Sequence, residues 1–445
     1  MIRTLKVLLV LVVSARVCWA QPSIPATPAG RALAAWLEAF NSGDRAKIDL
    51  FLTNYAPRLK QDALTSAQFR GRSGGVNLIS VTSGEPDAIS FRVREKLQPT
   101  ILLGRIEVTA AKTPAIQNFT LRPVPEGAVL DDIMLDDARR RQIIADVAGN
   151  LDQFYVYPEL AKKMADHLRA RDSKGEYNSI SDGDAFAAQL TADLLEVSHD
   201  KHLAVFYQPY KFITPSPPLT LDQITEDRKA MARDCGVRNV DVLANNVGYL
   251  KLDYFADPLA CGKTAAAAIT FLANTDAVIF DMRENSGGDP RMVALVASYL
   301  FEQPVHLNDF YDVRDQKTSE YWTLRFVPGM RIAHKPVYVL TSAHTFSGAE
   351  EFAYDLKNLK RITVVGETTA GGSHPVSPHQ AGEHFVVCVP NARSISPVTR
   401  TDWEEKGVAP DVAVSADDAL ATAERLAAER IQLDAGRRPA AARVN

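Results

Sequence analysis

From residue 245 onward, short apolar runs of strand length alternate with longer runs of helical spacing, and this alternation limits the fold more than any other feature. VGYLKLDY, AVIFD, VYVLT and ITVVG read as strands, and KTAAAAITFLAN, RMVALVASYLFEQ and EEFAYDLKNL read as the helices between them. Strands followed by helices imply right-handed crossovers and a largely parallel sheet, so the fold class is α/β. In such sheets ligands gather beyond the carboxyl ends of the strands. Three strand ends are therefore of interest: FDMRENSGG, LTSAHTFSG and VGETTAGG.

Upstream the pattern differs. After the Pro-rich PSIPATPA, apolar residues at Leu33, Trp36, Leu37 and Phe40 have helical spacing, and Asn41-Ser42-Gly43-Asp44 stops that helix. A second helical stretch and the strand-like VNLISVTS, AISFRVRE and TILLGRIEVTA complete a small α+β unit over residues 25–125. Residues 131–210 read as mainly helical, ending in the turn Ser198-His199-Asp200-Lys201-His202 and the strand-like LAVFY. The α/β core is expected over residues 235–432 and a frayed tail over 433–445.

At the amino terminus, Arg3 and Lys6 precede the apolar run Val7 to Val13, and the segment closes on Cys18-Trp19-Ala20. This pattern predicts a signal peptide over residues 1–20 and a periplasmic or secreted mature protein. The run is too short for a span of about 20 residues, and no later hydrophobic stretch is long enough either, so no membrane span is expected once the leader is removed. Cys235, Cys261 and Cys388 then remain in an oxidising compartment. Three thiols allow at most one internal pair, and Cys235 and Cys261, which flank VGYLKLDY, can close a loop. The near balance of 50 basic and 54 acidic residues argues against nucleic acid as a partner.

Ser347 carries the sharpest ambiguity. Ser347-Gly348-Ala349-Glu350 opens a helix after a strand, and Ser-x-x-Glu is a capping box. The same geometry exposes a serine hydroxyl beside free amides at a positive helix end, where negative charge is stabilised. Gly287-Gly288, in the turn that ends the preceding strand, can supply backbone donors beside it, with the Gly348 amide as their partner. A serine nucleophile needs a base. His202, His344 and His374 all stand near the relevant strand ends, and the residues alone leave the choice among them open. His199-x-x-His202 is a weak metal pair with no acidic or cysteine ligands organised around it, so no metal and no cofactor are expected.

DMRENSGG, TSAHTFSGAEEFAYDLK, VVGETTAGG and WEEKGVAPDV, in this order and spacing, resemble the core of the C-terminal-processing (tail-specific) serine peptidases. The similarity is closer to the branch related to the tricorn core and the interphotoreceptor retinoid-binding protein, and it covers roughly residues 131–415. It implies a crotonase-like core and a serine-type endopeptidase acting on peptides or proteins. The segment 25–125 is similar, more weakly, to the nuclear-transport-factor-like cone. The family nucleophile falls on Ser347, and the oxyanion-hole glycine on Gly287 and Gly288 with Gly348 as partner. The lysine of the family's Ser-Lys dyad falls on Gly372, so a Ser-His-Glu arrangement of the tricorn type, with His202 and Glu404, is implied instead. An imidazole base would make the rate rise with pH through a group titrating near ~6–7. The alternative within the same resemblance is a non-catalytic protein that binds an apolar ligand or a peptide on this fold.

Overall fold

The structure is a computed structural model that describes residues 22–56, 67–84, 86–109, 114–125, 127–131, 133–212 and 235–437. The expected signal peptide and the last eight residues of the expected tail lie outside the described residues. The chain forms two compact units, residues 1–129 and 130–445.

In the first unit, helix Pro28–Ser42 starts at Thr27, whose hydroxyl accepts the Gly30 N–H, and stops at Gly43, where φ is 67°. Glycine adopts that left-handed conformation at little steric cost. The helix buries Leu33, Trp36 and Phe40 against a four-stranded antiparallel sheet, with Trp36 packed on Phe91 and Phe119.

The second unit begins with three helices, Asp137–Phe154, Pro158–Ser173 and Gly183–Ser198. They pack on a small antiparallel sheet made of Ala204–Tyr207, Phe385–Pro390 and Val376–Ala381. Its main sheet has six strands, running in space Val237–Leu243, Val247–Leu252, Ala277–Asp281, Val337–Thr341, Thr363–Gly366 and Val412–Ala413. Spatial order follows chain order, and every pairing is parallel except the first. The mixed α/β character read from the alternating runs is thus the observed one.

Both faces of this sheet are covered, which is why its strands are apolar without alternation. Val278, Phe280, Val339 and Val364 face the crossover helices Pro258–Phe271, Pro290–Ser298 and Gly348–Asn358. Ala277, Ile279, Leu340 and Val365 face Ala419, Ala423 and Ala427 of the carboxyl-terminal helix. That helix runs Ala419–Arg437, so the expected frayed tail from residue 433 is corrected: its first five residues continue the helix. Cys235 and Cys261 form a disulfide, and Cys388 is free. No described helix is long and apolar enough to cross a membrane.

Candidate active site

The strand Val337–Thr341 delivers the chain to Ser347 through a loop stitched to its neighbours. Ser342 N donates to Thr345 Oγ1 at 2.9 Å, the Thr345 hydroxyl donates to the Met282 carbonyl at 2.9 Å, and Phe346 N donates to the Asn285 carbonyl at 3.0 Å. Two strand ends are therefore clamped together. At Ser347 the backbone takes φ 53° and ψ −120°, a conformation L-residues rarely adopt. Such a residue costs on the order of 1–3 kcal/mol and persists only where its surroundings hold it. Here the Glu350 carboxylate accepts the Ser347 N–H at 2.9 Å, and also the Gly371 N–H at 2.6 Å and the Gly372 N–H at 2.9 Å. The carboxylate half of the expected capping box is present, and it ties the helix start to the VGETTAGG turn. The hydroxyl itself lies 3.1 Å from His202 Nε2.

His202 reaches that point from the turn after helix Gly183–Ser198, which His199 ends at φ 56°. Asp200 Oδ1 accepts the His202 N–H at 3.0 Å, and Lys201 Nζ donates to the Ala370 carbonyl, fixing the turn against the sheet end. The His202 ring stacks on Phe346 with centroids 4.5 Å apart. A Cβ on Gly372 would overlap the Phe346 ring and come within 2.8 Å of His202 Cε1. The imidazole thus fills the space into which a side chain from position 372 would grow.

The other histidines divide. His199 and His344 are exposed, and neither is bonded to Ser347. His374 is buried, and its Nδ1 lies 2.8 Å from Asp200 Oδ2, which also accepts the Tyr155 hydroxyl at 3.1 Å. Glu404 sits beside this group rather than on His202. Its Oε2 accepts the Ser373 N–H and lies 3.5 Å from His374 Nδ1. Glu404 Oε1 and His202 Nδ1 are both buried without a hydrogen-bond partner among the described residues. One ligating atom from each of Asp200, His202 and Glu404 lies within 4.8 Å of the others, and these three, not His199 with His202, are what a metal ion could engage here.

Burial lowers the His202 pKa to about 4; Asp200 works against that shift and His374 adds to it. Burial also acts on Asp200, but the hydrogen bond and charge of His374 outweigh it and hold the carboxyl below its usual range. His374 is correspondingly raised: burial opposes the shift, and Asp200 and Glu404 overcome it. Burial pushes Glu404 up.

The expected oxyanion donors separate. Gly287 N–H is committed to Asn285 Oδ1 at 2.8 Å, and the Gly287 carbonyl accepts Phe255 N–H at 2.7 Å, so Gly287 is not available as a donor. It serves by having no side chain, since a Cβ there would stand 2.7 Å from Ser347 Cβ. The Gly288 and Gly348 amides lie next to each other, with no acceptor among the described residues. Beside them opens a cavity of about 370 Å³ lined by Ser347, His202, Tyr321, Phe310, Glu351 and others. His374 had stood among the candidate bases, whereas Glu351 and Asp200 had drawn no catalytic or binding role from sequence. Only Asp200, inside Ser-His-Asp-Lys-His, carried a local signal.

Residues 246–414 match the model of peptidase family S41, and residues 132–234 match the N-terminal domain of peptidase S41 in eukaryotic IRBP. The chain is similar to the chloroplastic carboxyl-terminal-processing peptidase 2 of Arabidopsis thaliana, with 26% identity over 205 residues, 45% of this chain and 38% of that protein. The match therefore spans well under half of that relative. Among solved structures, the photosystem II D1 C-terminal processing protease is similar at 16% identity and a TM-score of 0.40, covering 63% of this chain and 94% of the other. The tricorn protease is similar at 13% identity and a TM-score of 0.42, covering 80% of this chain and 41% of the other.

Proposed function

The chain belongs to peptidase family S41 through residues 132–234 and 246–414, and on that premise we propose that it is an exported serine-type endopeptidase working through Ser347 and His202. The observation that carries this reading is the 3.1 Å contact between His202 Nε2 and the hydroxyl of a serine held at φ 53° beside two unused amides.

Neutral His202 takes the Ser347 proton as the oxygen attacks the substrate carbonyl carbon. The Gly288 and Gly348 N–H groups receive the developing oxyanion, and preorganised donors of this kind are worth on the order of 100- to 1,000-fold in rate each. His202 then gives the proton to the leaving amine, and water releases the acyl group by the same route in reverse. An imidazolium formed in so buried a place needs negative charge nearby. Asp200 supplies it through the turn, and we assign Glu404 the orienting role of the third triad member. That assignment is supported by the unsatisfied Glu404 Oε1 and His202 Nδ1, an acceptor and a donor left over in one cluster. The crotonase-like reading of the core fits the six-stranded sheet wound in one direction, and the cone-like reading of residues 25–125 fits helices on a four-stranded sheet. Export fits the basic and apolar leader and the Cys235–Cys261 disulfide, and implies a periplasmic or secreted enzyme.

A fluorophosphonate probe tests the reading directly. The expected result is one adduct, mapped to Ser347, unchanged by a chelator. A folded protein with no adduct would leave the non-catalytic binding alternative. Loss of turnover on chelation would favour a metal at Asp200, His202 and Glu404.

A further inference from the structure

The cavity beside Ser347 contains a charge that the proposed chemistry does not use. Glu351 lies one helical turn after Ser347 on Gly348–Asn358, and residues four apart share a helix face. It lines the cavity and is only 3% exposed. One turn further, Asp355 is 2% exposed, and both of its oxygens are buried without a hydrogen-bond partner among the described residues. Buried carboxylates are normally paired or hydrogen-bonded, because an isolated one is costly.

The neighbouring charges do not neutralise this pair. Asp289 is paired with Arg291, which also reaches Asp257. Asp312 accepts from the Arg314 and Asp315 amides and from Asn391. No lysine or arginine is among the described residues lining the cavity, while Phe310, Tyr321 and Trp403 give it aromatic walls. An acidic floor under aromatic walls suits a side chain with an apolar stem and a cationic tip.

Resting on the peptidase reading, we infer that this cavity is a specificity pocket for a lysine or arginine side chain flanking the scissile bond, with Glu351 as the residue that receives its charge. Asp355 stands behind Glu351 as a positioning residue. The free pair is protonated more readily than ordinary carboxyls: burial, with Asp289 adding to it, pushes Glu351 up to about 8. The groups that face Glu351 are Asp355 on its own helix, Asp289 at the start of the preceding crossover helix Pro290–Ser298 and the Tyr321 hydroxyl. A bound ammonium or guanidinium would stabilise the carboxylate, and the proton would leave to solvent. Preference for the cation should therefore grow with pH.

Internally quenched peptides identical except for lysine, norleucine or glutamate at each position flanking the cleaved bond provide the test. At one of these positions wild-type protein is expected to favour lysine over norleucine by about 10- to 100-fold in kcat/KM, as for a charge-assisted hydrogen bond in a desolvated site, with glutamate the poorest. The lysine-to-norleucine ratio should rise between pH ~6 and ~9 and fall close to one in Glu351→Gln. Binding of the same peptides to Ser347→Ala protein, measured by calorimetry, reads the pocket without the chemistry. Cleavage without a basic preference, or with an acidic one, overturns the pocket and leaves the peptidase reading standing. Selective binding of the lysine peptide without cleavage by wild type supports the pocket and defeats the peptidase reading. Neither binding nor cleavage defeats both.

Discussion

At Gly372 a single missing side chain decides which base the site can use. The space a Cβ would enter is taken by Phe346 and by His202 Cε1, so the imidazole and any larger residue at 372 exclude each other. Gly372→Ala is accordingly expected to displace His202 and lower kcat by about 100-fold or more, since small misplacements near the reacting atoms are expensive. Thermal unfolding checks that the fold survives. His202→Ala should lose most of the rate, whereas His344→Ala should not, because His344 is exposed and unconnected to Ser347. The pH profile follows from burial. The expectation of an ascending limb near 6–7 is revised downward, since burial holds His202 to about 4 and the base must be neutral to act. The kcat/KM against pH should already be near its plateau at pH 6, and a midpoint at 6–7 would contradict this environment for His202.

Elements explain which parts of this site were legible in sequence. The strand ends at Asp281, Thr341 and Gly366 followed from short apolar runs interrupted by glycine, and Ser347 from its place before an amphipathic helix. The Asp200–His374 pair was not legible, because 174 residues separate its members and only the packing of the helical segment on the sheet joins them. Glu404 was placed by resemblance alone; it bonds to Ser373 and lies 3.5 Å from His374, and it stands near His202 without a hydrogen bond to it among the described residues. Glu351 and Asp355 are acidic residues of helix Gly348–Asn358, yet both are buried. Their cost appears in stability. A carboxyl whose folded pKa exceeds its unfolded value keeps its proton in the native state and loses it on unfolding, so stability falls as pH rises from about 4 to the folded pKa. For Glu351 that window ends at about 8. Glu351→Gln should therefore raise Tm by a few degrees at pH 8 and by less at pH 5, measured by calorimetry. An equal change at both values would mean that Glu351 does not titrate in this window.

At the scale of the molecule, the carboxyl ends of the parallel strands gather the nucleophile, the amides and the turn that seats the base, while both sheet faces are closed by helices. Cys235–Cys261 ties the antiparallel edge strand to the first crossover helix across 26 residues. Loop closure of that length is worth about 3 kcal/mol, so reduction should lower Tm without removing the Ser347–His202 contact, and an unchanged Tm after complete reduction would contradict this role. The account as a whole turns on Ser347 being a nucleophile and not only the first residue of a helix. The most direct measurement is turnover of a cleaved peptide by Ser347→Ala beside its unfolding free energy. The expected result is a loss on the order of 10⁶-fold in kcat, with stability changed by no more than the ~1 kcal/mol a helix cap contributes. Retention of turnover near the wild-type rate, with only that ~1 kcal/mol lost, would contradict the account.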